Sequence, residues 1–198
     1  MTFDIVQQPY NIWFTSDNHW GHGNFLNFMD EAGNKIRPFK SVQEMDDCMI
    51  TRWNERVRPF DRVYHLGDVG SDSTLNNKIL PKLHGSKRLI IGNHDTIKGD
   101  LVNHFKKITL WRLFKEYNFI CSHLPLREDS MFKVTYCAHG HIHQQPSPSI
   151  RHINMCVENT GYAPVHLDEL LAEIRVRDNL VENNIPYTLV GYDYKVKF

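Results

Sequence analysis

Leu89-Ile90-Ile91-Gly92-Asn93-His94-Asp95 decides how this chain is read. The apolar triplet reads as the end of a buried strand. Gly92 lets the backbone turn sharply where that strand stops. An amide oxygen, an imidazole and a carboxylate then crowd onto one turn. Asn, Asp and Gly also build ordinary turns, so the stretch gains its meaning from its partners elsewhere in the chain.

Those partners lie in the same kind of place. Asn11 to Ser16 reads as a strand and runs straight into Asp17-Asn18-His19. If that segment stays extended, Asp17 and His19 point to one side. Arg62 to Leu66 is a second strand, ending in Gly67-Asp68, and Lys87 to Ile91 is the third. Tyr117 to Ser122 precedes His123, and Val134 to Ala138 precedes His139-Gly140-His141-Ile142-His143. Ile108 to Phe114 and Ile150 to Val157 complete the expected strands. Among helices, Ser41 with Glu44 forms a capping box for a helix reaching Arg58-Pro59. Others are expected at Phe25–Met29, around Thr74–Leu83, at Asp100–Lys106, and from about Leu167 to Asn183. Strand–helix alternation early and consecutive strands later predict mixed sheets with helices outside. Sites just past strand ends are a general feature of such α/β sheets.

Composition narrows the classes. With 198 residues the chain fits one domain, here taken as 1–198, large enough for a real core. The 23 Lys plus Arg balance the 23 Asp plus Glu, which disfavours a dedicated nucleic-acid binder but leaves room for a local basic patch. Cys48, Cys121, Cys137 and Cys156 are widely spaced and read as reduced thiols of a cytoplasmic protein. No signal peptide or membrane span is visible. Histidine is the outlier, with 12 copies. Carboxylate, amide and imidazole donors together suit Mn, Fe, Zn or Ni better than Cu(I) or an iron–sulfur cluster. They are too many for one tetrahedral zinc, and two metals sharing a carboxylate would use them.

Asp17-x-His19, Gly67-Asp68, Gly92-Asn93-His94-Asp95, His123 and Gly140-His141-x-His143 resemble, in order, the five motifs of the calcineurin-like metallophosphoesterases. The resemblance implies an α/β fold, a four-layer α-β-β-α sandwich of two mixed sheets flanked by helices. It implies that Asp17, His19 and His143 bind one divalent metal, that Asn93, His123 and His141 bind a second, and that Asp68 bridges them. Mn is the first choice of metal, with Fe, Zn, Ni or Mg as alternatives. His94 is implied as the general acid, with Asp95 fixing the turn or orienting it; Asp72 is a second candidate for orienting His94.

The expected reaction is hydrolysis of a small phosphodiester or phosphomonoester, a nucleotide or cyclic phosphate among the candidates. A hydroxide between the two metals would attack in line and an imidazole would protonate the leaving oxygen. A nuclease and a non-catalytic metal-binding scaffold are the alternatives. Three residues carry two readings each. His22 either touches a substrate phosphate or caps a turn, and Asn24 is similar. Arg37 either clamps a phosphate with its guanidinium or is a solvated loop charge. His65 and His139 read as packed residues near the site, not as ligands.

Overall fold

The computed structural model describes residues 9–70, 78–97 and 99–187. Two mixed sheets face each other. The first has strand order β4-β3-β2-β1-β9, with β1 Ile12–Thr15, β2 Arg62–His65, β3 Ser86–Ile90, β4 Lys107–Thr109 and β9 Val165–His166. β1 to β4 are parallel and β9 runs against β1. The second has order β5-β6-β7-β8, with β5 Trp111–Phe114, β6 Phe119–Ser122, β7 Tyr136–His139 and β8 His152–Asn154. Only β5 is antiparallel to its neighbour.

Strand alternation builds the layers. Phe14, Tyr64 and Ile90 of the first sheet meet Phe114, Phe119, Tyr136 and Ile153 of the second in the inter-sheet core. Trp13, Val63 and Leu89 point the other way, onto α1 (Val42–Arg56) through Met45, Met49 and Trp53. Helix α2 (Leu167–Glu182) sends Leu170, Leu171 and Ile174 into the inter-sheet core. Ile120 and Cys137, on the far face of the second sheet, are covered by Met131 and Leu126, beside a single 3-10 turn at Glu128–Ser130. The sandwich of two mixed sheets is thus the one expected, with its fourth layer thin.

The helix at Ser41 begins as read: the Ser41 hydroxyl accepts the Glu44 N–H. Ile108 to Phe114, read as one strand, is two, because the chain leaves the first sheet after Thr109 and enters the second at Trp111. An apolar run cannot reveal that its two halves pair with different neighbours. The Phe25–Met29 and Asp100–Lys106 helices are 3-10 turns at Gly23–Leu26 and Gly99–His104. Asp72, and residues 74–77 of the expected Thr74–Leu83 helix, lie outside the described residues, and the described end of that segment closes in a 3-10 turn at Leu80–Lys82. No helix of the described residues is long and apolar enough to cross a membrane.

Asp61 stitches the entrance of β2 to β1. Its carboxylate accepts the Asn11 N–H at 2.9 Å, the Trp13 indole N–H at 2.9 Å and the Arg58 N–H at 3.0 Å. Burial opposes its ionisation, but these donors outweigh burial and hold its pKa below the usual value. Its contribution is therefore complete above the unfolded carboxylate pKa and is lost as pH falls through the lower folded value. Asp61→Asn, which turns an amide N–H toward a donor, is expected to cost about 1–3 kcal/mol at pH 7. Urea unfolding of both proteins at pH 7 and near pH 3 checks this: the gap should narrow at the lower pH.

Candidate metal centre

Five of the parallel strands deliver donors at their carboxyl ends. Asp17 follows β1, Asp68 follows β2, Asn93 follows β3, His123 follows β6, and His141 and His143 follow β7. Backbone bonds lock these tips together. Asp17 N–H donates to the Gly67 carbonyl at 3.0 Å, His19 N–H to Asp68 at 3.1 Å, and Gly140 N–H to His123 at 2.9 Å. Asp95 ties two tips at once, its carboxylate accepting N–H groups of Asp68 (3.0 Å), Val69 (2.9 Å) and Gly92 (2.8 Å).

The local backbone is unusual. Asp17 (φ 58°), His19 (49°), Asp68 (56°), His141 (72°) and His143 (49°) all lie in the left-handed region. Residues outside glycine pay about 1–3 kcal/mol for such conformations and keep them where the surroundings enforce them. Asp17 and His19 therefore do not converge through extended alternation, as expected from sequence; paired left-handed turns bring them together. Gly92 and Gly140 serve close approach: a Cβ on Gly92 would overlap the Asp68 carboxylate, and one on Gly140 would overlap Ser16 Oγ and Asp17 Oδ2.

The result is a compact donor set. Asp17, His19 and His143 offer atoms within 4.8 Å of one another, and so do Asp17, Asp68 and His123. Asp68 Oδ2 stands 3.5 Å from both His19 Nε2 and His123 Nε2, central between the two groups. Asn93 Oδ1 lies 2.8 Å from His123 Nε2 and 2.9 Å from His141 Nδ1. Asp17 Oδ1 and His19 Nε2 are buried without a hydrogen-bond partner. An unpartnered buried carboxylate oxygen beside an unpartnered imidazole nitrogen, 3.8 Å apart, is what a cation would satisfy, so the residues fit a divalent metal pair.

Hydrogen bonds on the far side of the rings set which nitrogen is available. His123 Nδ1–H donates to the Leu66 carbonyl at 2.8 Å, which turns Nε2 inward. His143 Nδ1–H donates to Glu158 at 3.1 Å, with Nε2 toward Asp17. Burial drives the His19 pKa down to about 2, assisted by Arg37 and neighbouring rings, so that imidazole is neutral. Burial lowers His141 as well. Burial also raises Asp17, so its carboxylate is destabilised in the absence of positive charge. Burial disfavours protonated His143 too, but the Glu158 bond and charge reverse the balance and raise its pKa.

One expected role changes. Arg37 does not clamp substrate: it is fully buried, its guanidinium held by Glu158 at 2.7 Å and by the carbonyls of Asp17 (2.6 Å) and Asn18 (2.7 Å). It also stacks over Phe25 at 4.0 Å. It supports the ligand turns from beneath. Asp95 spends its carboxylate on backbone N–H groups, which holds the turn, the first of the two roles expected of it. His94 is exposed beside the cluster, its ring centroid 5.5 Å from that of His19, and its N–H donates to Asp68 Oδ1 at 2.9 Å. His22 packs edge-on to His19 at 5.8 Å, while Asn24 is exposed in the following turn. His65 and His139 are buried and bond to Asn18 and to Gly140 and Ser147. Glu158 escaped sequence reading altogether. It belongs to no motif, and its only signal was a carboxylate shortly after an expected strand.

A family model described as "Calcineurin-like phosphoesterase" matches residues 10–193. The chain is 32% identical over 170 residues to the "Uncharacterized protein MJ1445" of Methanocaldococcus jannaschii, covering 79% of this chain and 87% of that one. It is 36% identical over 89 residues to the Gene 66 protein of Mycobacterium phage L5, covering 43% of this chain and 40% of the phage protein. A solved structure, "the Protein of Unknown Function AQ665 from Aquifex aeolicus", superposes with a TM-score of 0.67 at 25% identity, covering 81% of this chain and 97% of that one.

Glu158 orients His143 and neutralises Arg37, so Glu158→Gln should weaken divalent-metal affinity by about 10–100-fold. Titration with Mn²⁺ in competition with a chelating dye measures this. Unchanged affinity would show that Glu158 serves folding alone.

Proposed function

The chain belongs to the calcineurin-like phosphoesterase family, and from that premise we propose that it hydrolyses a small phosphoester with two divalent cations, Mn²⁺ first among them. The single observation that carries the reading is the buried, unpartnered pair Asp17 Oδ1 and His19 Nε2 within a ring of donors from five strand ends. Asp17, His19 and His143 would hold one cation, Asn93, His123 and His141 the other, with Asp68 between. When bound, such a pair supplies Lewis acidity toward phosphoryl oxygens and a water made acidic enough to attack near neutral pH.

The remaining work falls to the chain's own side chains. Asp17 and Asp68 bring two negative charges, fewer than two divalent cations bring positive, and the neutral imidazoles add none. The loaded site therefore keeps a positive balance that attracts a phosphate anion. His94 is proposed to give a proton to the departing oxygen. The bond from its N–H to Asp68 Oδ1 fixes where that imidazole begins, beside the donor ring and open to an incoming ester.

Next to His141 and His143 lies a cleft of about 490 Å³ whose other walls include Phe25, Phe28, Ile36, Ile142 and Pro146. Flat and apolar walls beside a charged centre suit an ester with a planar or apolar group, which favours a small phosphodiester over a sugar phosphate. Four unpaired cysteines accord with a reducing, cytoplasmic setting.

Hydrolysis of bis-p-nitrophenyl phosphate and of the monoester, with Mn²⁺ and after a chelator, tests the proposal. Diester turnover that vanishes on chelation and returns with Mn²⁺ is expected; bound metal with no turnover on either ester would overturn it in favour of a scaffold. His94→Ala should retain bound metal and lose about 10²–10⁴-fold in turnover. A parallel loss of metal would make His94 a ligand instead.

A further inference from the structure

The inter-sheet face carries charge where alternation calls for apolar side chains. Tyr64, Ile90 and Phe114 point into the inter-sheet core. Arg62 and Arg112 stand two residues before Tyr64 and Phe114 on their strands, and therefore on the same faces. Arg88 pairs in register with Tyr64, and Lys107 with Arg88, again on that face. At the β4/β5 side the sheets leave a pocket of about 380 Å³ lined by these cations, Thr109, Trp111, Tyr64 and Leu113.

Among the described residues, none that lines this pocket is acidic. Among the described residues none of the four cations has a carboxylate within ion-pair distance; the Arg88 guanidinium bonds only the Ser86 carbonyl, at 3.2 Å. Arg62 lies over Tyr10 at 4.0 Å and Arg112 over Phe114 at 5.1 Å, so aromatic faces hold the guanidiniums in place. Burial first, and then the neighbouring Arg62 and Arg112, lower the Arg88 pKa.

We propose that this pocket binds a multiply charged phosphate anion of the size of a nucleoside di- or triphosphate, at a site separate from the metal centre. Planar guanidiniums match phosphate oxygens two at a time. Several of them around one cavity favour a chain of phosphates over a single one. The volume falls within the range of small-ligand sites, and Trp111, half exposed at the rim, offers a flat ring beside it. The pocket shares no lining residue with the metal centre, so the proposal does not depend on the chemistry assigned there.

The test is calorimetric titration of the full chain with tripolyphosphate and with ATP at low salt in a chelator, so that metal-bridged binding is absent. Saturable binding is expected. Arg88→Gln and Arg112→Gln should each weaken it by about tenfold or more, and His123→Ala should leave it unchanged. Equal affinity for the two ligands identifies the phosphate chain as the recognised part; tighter ATP binding adds the base, and either result supports the site. Should Arg88→Gln fail to fold, Arg112→Glu on an exposed side chain gives the same reading. No binding at millimolar ligand, binding indifferent to the arginine changes, or loss in His123→Ala would overturn the proposal. So would a single-stranded oligonucleotide that binds more tightly through the same arginines, since that marks a strand-tracking surface.

Discussion

Charge buried without a partner is the constraint on which this structure depends. Asp17 is completely buried, and one of its carboxylate oxygens faces a histidine nitrogen that is equally unpartnered. A protein interior does not leave such atoms exposed to one another at no cost. The cost is accepted here because every surrounding element converges on that point. The left-handed backbones of Asp17, His19, Asp68, His141 and His143 are a second cost at the same place. Strain and desolvation concentrated in one cluster distinguish a functional centre from a packed core.

Rigid support makes the arrangement persist. Asp95 clamps the Asp68 and Gly92 turns, and Arg37 clamps the backbone of Asp17 and Asn18 from below. Glu158 ties the Arg37 clamp to a ligand ring by taking both Arg37 and His143. One buried carboxylate thus neutralises a structural cation and aims a ligand ring. The guanidinium and the imidazole share the same oxygen, Glu158 Oε1, so a turn of the ring would disturb the support beneath the first ligand turn.

The same logic reads in opposite directions at the two polar places of the sandwich. At the metal centre carboxylates and imidazoles are gathered, and Asp17 Oδ1 and His19 Nε2 lack a partner. At the β4/β5 edge cations are gathered and negative charge is missing among the lining residues. Both depart from the apolar-inside pattern that the rest of the inter-sheet core obeys, and both departures sit where the sheets open.

The sequence by itself determined the kind of residue at each strand end, the order of the five motifs and the α1 cap at Ser41, features that are local and set by spacing and by the turn chemistry of a few neighbours. Strand and helix order pointed to mixed sheets with helices outside, and the sandwich was what the resemblance carried by the motifs implied. Only the tertiary structure decided that Arg37 is a buried brace and not a substrate clamp, since its partner Glu158 lies 121 residues away. The split of residues 108–114 between two sheets, the turning of Asp17 and His19 by left-handed backbone, and the gathering of Arg62, Arg88, Lys107 and Arg112 into one pocket were likewise settled there. Burial, and the charges that end up facing each other across packed layers, are properties of the assembled chain, and no window along the sequence contains them.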